Sequence, residues 1–178
     1  MSGEIHRIGI LPLGSVVDVV PKVIAAHISG FLNLSTEILP AFKLPTKAFD
    51  AHRFQYDAGV IINEMETMAF GRCDKVVGVI GVDLFVPIFT HVFGEARQGG
   101  NVALVSLFRL EKDHADDKTA LAIFLERTAK VALHELCHLY NLSHCLDSKC
   151  LMHFSGDLEE LDQTPLYFCR YCNAFFRD

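Results

Sequence analysis

The run His134-Glu135-Leu136-Cys137-His138-Leu139-Tyr140-Asn141-Leu142-Ser143-His144 constrains this chain more than any other stretch. Residues at i and i+4 share one face of a helix, so His134 and His138 can reach one metal ion from a rigid platform. Glu135 stands one position along from His134. There it can face the open position of that metal without ligating it, and accept a proton from bound water. His144 follows six residues after His138, and a continuing helix would point it elsewhere. The chain must therefore turn sharply, and Asn141 stands where the turn belongs. Asparagine is one of the few non-glycine residues that enters the left-handed region at modest cost. Three neutral nitrogen ligands and one open position are the usual arrangement of catalytic zinc. The plainer alternative is a buried helix with incidental histidines. From this composition such a pattern arises by chance roughly once in a thousand chains of this length.

The 178 residues suit one compact domain, which the pattern divides into an N-terminal lobe (about 1–141) and a small C-terminal lobe (about 142–178). Apolar residues make up 51% and charged residues 21%, enough to bury a core and unlike a disordered chain. The formal charge of −6 argues against a general nucleic-acid binder, which needs a basic face. The longest apolar stretch, Val76 to Phe89, is broken by Asp83 and Pro87, so no spanning helix is expected. The N-terminus has no basic region followed by an uninterrupted apolar run, which makes a cytoplasmic protein the expectation.

Along the chain, Ile5 to Leu13 reads as a strand and Val17 to Leu32 as a helix with a proline near its start. Glu37 to Leu44 reads as a second strand, Pro45 to Phe54 as loop, and Asp57 to Phe70 as a helix. Lys75 to Asp83, rich in valine and isoleucine, reads as a buried strand. Phe93 to Gly100 is turn-like, and Asn101 to Leu110 alternates as a strand does. Asp116 and Asp117 offer N-caps for a long helix to about Tyr140. Its inward stripe is Leu121, Phe124, Leu125, Thr128, Val131 and Ala132. Beyond residue 141 the expectation is short loops. The fold class is α/β (α+β).

Four of the six cysteines, Cys145, Cys150, Cys169 and Cys172, fall in the last 34 residues. They supply four thiolates, the closed set expected of structural zinc. A small lobe with a thin apolar core needs such a staple. Disulfides are the alternative, disfavoured without a secretory signal. A nucleic-acid-binding zinc ribbon is a further one, resting only on Lys149, Arg170 and Arg177. His144 and Cys145 are adjacent, so one backbone segment would be pinned by two metals.

With these residues in view, the sequence resembles the metzincins, whose pattern is H-E-x-x-H-x-x-G-x-x-H followed by a methionine-bearing turn. Asn141 replaces the glycine, and Met152, in Cys150-Leu151-Met152-His153, is the candidate Met-turn residue. The cysteines, together with Gly81 to Pro87 and Phe93 to Ala96, closely resemble the archaemetzincins. That resemblance implies a mixed sheet with helices, an active-site helix at its end, a zinc-stapled C-terminal lobe, two zinc ions per chain, and a cleft for peptide-like substrates. By analogy, the strand near Asn101 to Leu110 binds extended substrate by edge pairing. Phe154 stands where some metzincins carry a zinc-binding tyrosine.

The expected function is a zinc-dependent metallopeptidase acting on a peptide or protein substrate, with no nucleic acid and no membrane involved. The competing class is a zinc-stabilised peptide- or protein-binding module with little or no turnover. Cys137 and Cys73 read as structural thiols. His6, His27, His52, His91 and His114 lack ligand spacing and read as surface or capping residues. His153, beside Met152, could lie near the cleft.

Overall fold

A computed structural model describes residues 7–111 and 117–175 of the chain. Strands β1 (Arg7–Leu13), β2 (Ser35–Ile38), β5 (Lys75–Ile80), β9 (Val102–Ser106) and β8 (Gly94–Ala96) form one sheet in the order β2-β1-β5-β9-β8. All its pairs are parallel except β8–β9. A second, smaller sheet has the order β3-β4-β6-β7, from Phe49–Asp50, Gln55–Asp57, Leu84–Val86 and Phe89–Val92.

Why β5 is apolar on both faces follows from its position. Val77 and Val79 point into a core shared with α1 (Val19–Leu32) and α3 (Asp117–Leu139). Val76 and Ile80 point into the other core, with Ile61, Ile62 and Met65 of α2 (Ala58–Glu66). β9 repeats the division, with Ala103 and Val105 on one face and Val102 and Leu104 on the other. The period of two along a strand buries both faces of a sheet covered on both sides.

Local chemistry sets the helix ends. Asn33 caps α1 in the left-handed region, at φ 54°. The Asp57 carboxylate accepts from Gly59 N and Val60 N and starts α2. α2 stops at Glu66, before the expected Phe70, with the turn closed by Thr67 N bonding to Glu64 O and Met65 O.

Several expectations need correction. β2 is residues 35–38, earlier than Glu37 to Leu44; beyond it, Phe42 keeps only an isolated bridge to Leu13. The expected loop 45–54 holds a 3₁₀ turn at Thr46–Ala48 and strand β3. Phe93 to Gly100 is not all turn, because Gly94–Ala96 pairs antiparallel with β9. β9 therefore has neighbours on both sides and no free edge; the sheet margin belongs to β8. Leu121 is 50% exposed, while every residue from Arg127 to Leu133 of α3 is buried. The first turns of α3 thus lack the cover of the later ones. Asp116, His6, His114 and Arg177 lie outside the described residues, and of Asp117 only its place in α3 is described.

The C-terminal segment contains two short helices where only loops were expected, α4 (Leu158–Gln163) and α5 (Arg170–Phe175). The Asp157 carboxylate caps α4 through Glu160 N. Arg127, 1% exposed in mid-α3, anchors α4: its Nε and Nη2 donate to both Asp162 carboxylate oxygens, at 2.7 and 2.6 Å, and Nη1 donates to Leu110 O. Buried Lys130 donates to Leu161 O and pairs with Glu126. Among the described residues, no helix is long and apolar enough to cross a membrane.

Candidate metal centre and active site

The end of α3 closes in a Schellman turn. Leu142 N bonds to Cys137 O, and Asn141 N to His138 O. Asn141 takes φ 66°, the left-handed conformation its residue type was expected to supply. The turn folds Leu142 back over the helix, and its carbonyl accepts from His138 Nδ1 at 2.7 Å. His134 Nδ1 donates to Leu151 O at 2.8 Å. A carbonyl only accepts, so in both rings the proton sits on Nδ1 and Nε2 keeps its lone pair.

His134, His138 and His144 form one cluster whose possible donor atoms lie within 4.8 Å of one another. His138 Nε2 and His144 Nε2 are 3.2 Å apart. A tetrahedral ion with metal–nitrogen bonds of about 2.0–2.1 Å sets its nitrogens about 3.3 Å apart, so the spacing fits zinc. Burial lowers the pKa of all three rings, that of His134 to about 3, which keeps them neutral. Glu135 moves the other way: burial, then the neighbouring Glu95 charge, raises its carboxyl well above the usual range. A cation on the histidines would oppose that rise.

Gly94 of β8 lies against Glu135. A Cβ there would come within 2.6 Å of Glu135 Cγ and 2.8 Å of its Oε1, so only glycine leaves the carboxylate its place. A cleft of about 620 Å³ opens beside the histidines, lined by β7, β8, α3 and the segment 151–156. Its roof is braced from behind: buried Asp83 takes two bonds from Arg109, and Gln55 bridges Asp83 to Thr90 O of β7. Phe154 packs edge-on to His144 and stacks on Phe89 across the cleft.

The second cluster holds Cys145, Cys150, Cys169 and Cys172, again with donor atoms within 4.8 Å. Cys145 Sγ and Cys169 Sγ are 3.8 Å apart, far beyond the roughly 2.05 Å of a disulfide. Four sulfurs about 2.3 Å from a tetrahedral zinc would stand about 3.8 Å apart. Within the cluster the Cys172 backbone amide brings the Cys169 thiol down to about 7, whereas burial raises Cys150 and Cys172, so a bound cation would be needed to hold those two as thiolates. Met152 is fully buried on the cysteine side, with Cys137, Leu142, Cys150 and Cys172. Cys145 N donates to Met152 O, tying the two.

The expected histidines and cysteines thus gather in the two clusters, with Glu135 beside the first and Met152 packed against the second. Cys137 is buried and Cys73 packs into the second core, as expected of structural thiols. His27 bonds Val23 O and His52 lies on the surface. His91 departs from the surface expectation, because it is half-buried and lines the cleft beside Phe93. His153 lines the cleft with Nδ1 held by Cys145 O. Sequence reasoning missed β8 as the strand over Glu135. Three residues are too short to show a period, and the glycines around them signal turns.

The family model described as peptidase family M54 matches residues 15–177. The archaemetzincin of Methanopyrus kandleri is 36% identical over 165 residues, covering 93% of this chain and 88% of the relative. That of Archaeoglobus fulgidus is 33% identical over 171 residues, covering 96% and 99%. The crystal structure of the Methanopyrus kandleri archaemetzincin superposes with a TM-score of 0.86 at 30% identity, over 99% of this chain and 96% of that one. The Archaeoglobus fulgidus archaemetzincin, complexed with malonate, gives 0.81 at 33% identity, over 95% and 99%. The chain belongs to peptidase family M54, the archaemetzincins, and is a zinc metallopeptidase.

Proposed function

We propose that the chain hydrolyses peptide bonds with one zinc ion on His134, His138 and His144 and with Glu135 as general base, while Cys145, Cys150, Cys169 and Cys172 hold a second, structural zinc. The observation that carries this reading is the convergence of three histidine rings at zinc-like spacing beside a half-buried carboxylate, at the head of a cleft. Bound zinc would acidify a water and polarise the scissile carbonyl. The chain's own residues do the rest. Leu151 O and Leu142 O hold His134 and His138 in the tautomer that presents Nε2. Glu135, fixed against Gly94, takes the water proton and passes it to the leaving nitrogen. β8 has a free edge and lies over the helix, so it is the strand to pair with an extended peptide, in place of β9. Met152 follows Leu151, whose carbonyl holds His134, and its buried side chain suits the role of a Met-turn residue.

We read residues 1–178 as one catalytic domain with a zinc-stapled C-terminal lobe. A reducing, cytoplasmic setting suits its unpaired thiols. The test is a peptide-library cleavage assay read by mass spectrometry, run on the parent, on chelated protein and on Glu135→Ala. Cleavage by the parent alone is expected. Peptides bound but uncut by zinc-loaded parent would favour a binding module.

A further inference from the structure

The three metal-facing histidines are not held alike. His134 and His138 each have Nδ1 fixed by a backbone carbonyl. Among the described residues, His144 has no such partner, and it is the exposed member of the three. Nor does any backbone hydrogen bond hold Ser143 or His144 among the described residues. The bonded positions around them are Leu142, whose N meets Cys137 O, and Cys145, whose N meets Met152 O. Something else must fix the span between.

The loop joining β8 to β9 supplies it. The Gln98 side-chain amide donates to Asn141 O at 3.0 Å and to Ser143 Oγ at 2.8 Å, using both its hydrogens. The next residue continues the clasp. Gly99 N donates to His138 O at 2.9 Å, and Gly99, at φ 72°, lies so close to Asn141 that a Cβ would come within 2.6 Å of its Oδ1. The loop is itself rigidly presented. Arg97 is held by Glu66 and Asn63 of α2, Gly100 N bonds to Arg97 O, and Lys75 Nζ donates to Gly100 O.

We propose that Gln98 is a positioning residue for His144: it clasps the turn 141–143 from outside and thereby sets the third histidine of the metal site. This rests on the metal-site reading given above. Outer partners that orient metal-holding residues typically change affinity 10- to 100-fold when removed. Gln98 is exposed, so its replacement leaves the core alone. It also ties β8, the strand proposed to carry substrate, to the backbone that carries His144.

The test compares Gln98→Ala and Gln98→Glu with the parent, all loaded with two equivalents of zinc. Glutamate keeps the shape but has no hydrogen to donate. Zinc release to a chromogenic chelator separates a fast, open-site phase from a slow, thiolate phase. Both variants are expected to release the fast-phase zinc about tenfold faster, with the thiolate phase unchanged. Cobalt substituted at the histidines should show an altered ligand-field spectrum. Fast-phase release within twofold of the parent in either variant overturns the proposal, since donation would then not matter. Equal acceleration of both phases also overturns it, because it marks general loosening of the segment. A parent that takes up zinc only on its thiolates would instead contradict the histidine site itself, and with it the proposed function.

Discussion

Residues 7–139 and residues 142–175 are held together by different physics. The first part is a covered sheet: two apolar cores, one on each face, filled by alternate residues of β1, β5 and β9. Its strands satisfy their backbone groups in a ladder and its helices seal the faces. The second part has two six-residue helices and no strand among the described residues. Its own buried cluster consists of Leu142, Cys150, Met152 and Cys172 around Cys137 of α3. Leu151 and Leu161 are its fully buried additions to the large core. The sheet can be stable through apolar burial, at about 25 cal/mol per Å² removed from water. The tail has far less apolar burial of its own, and in the reading proposed above its four thiolates would make up the difference as metal ligands.

Removing the staple should divide the two regions most sharply. Cys169→Ser with Cys172→Ser is expected to unfold residues 142–175, abolish thiolate zinc and weaken zinc at the histidines, while the sheet keeps its structure. Limited proteolysis with zinc titration reads all three. A protease-resistant tail with unchanged histidine-site affinity would remove the basis of the contrast. Glu135→Ala sharpens it from the other side, since the residue belongs to the rigid part and serves chemistry. A fall in turnover on the order of 10² to 10⁴ is expected, with both zinc ions retained. Loss of metal in that variant would make Glu135 a ligand.

The contrast also explains what could be read from the residues alone. The histidine and cysteine clusters were legible because metal chemistry fixes residue type and spacing at once. Asn141 was legible because a left-handed turn admits few residues. α1 and α3 were legible because burial of one face imposes a period along a long segment, and β1 and β5 because burial on both faces makes a short segment apolar nearly throughout. β8 was not, since three residues show no period and Gly94 exists to make room for Glu135, a contact 41 positions away in the sequence. The Gln98 clasp was equally invisible, being a contact between two loops. Arg127 and Lys130 went unremarked in the sequence; they are buried where α4 folds back over them, and nothing local announces that helix.

Their pairing gives a smaller effect. Asp162→Ala should leave the buried Arg127 guanidinium with Leu110 O as its remaining hydrogen-bond partner among the described residues and cost about 3 kcal/mol in chemical denaturation. A loss below about 0.5 kcal/mol would mean that α4 is not anchored through this pair. The smallest effect belongs to the hinge between the regions. Asn141→Ala should cost about 1 kcal/mol, because alanine resists φ 66°, whereas Asn141→Gly should be nearly neutral. Equal losses in the two would show that the Asn141 side chain, rather than its backbone, matters.

In the proposed function one chain holds two zinc ions by two different donor sets, one for chemistry and one for the fold of the tail. X-ray absorption at the zinc edge, with metal content measured on protein purified without chelator, addresses it directly. Two zinc ions per chain and two shells are expected: nitrogen near 2.0–2.1 Å from the histidines and sulfur near 2.3 Å from the cysteines. One zinc or fewer per chain, or a spectrum described by a single shell, would contradict it.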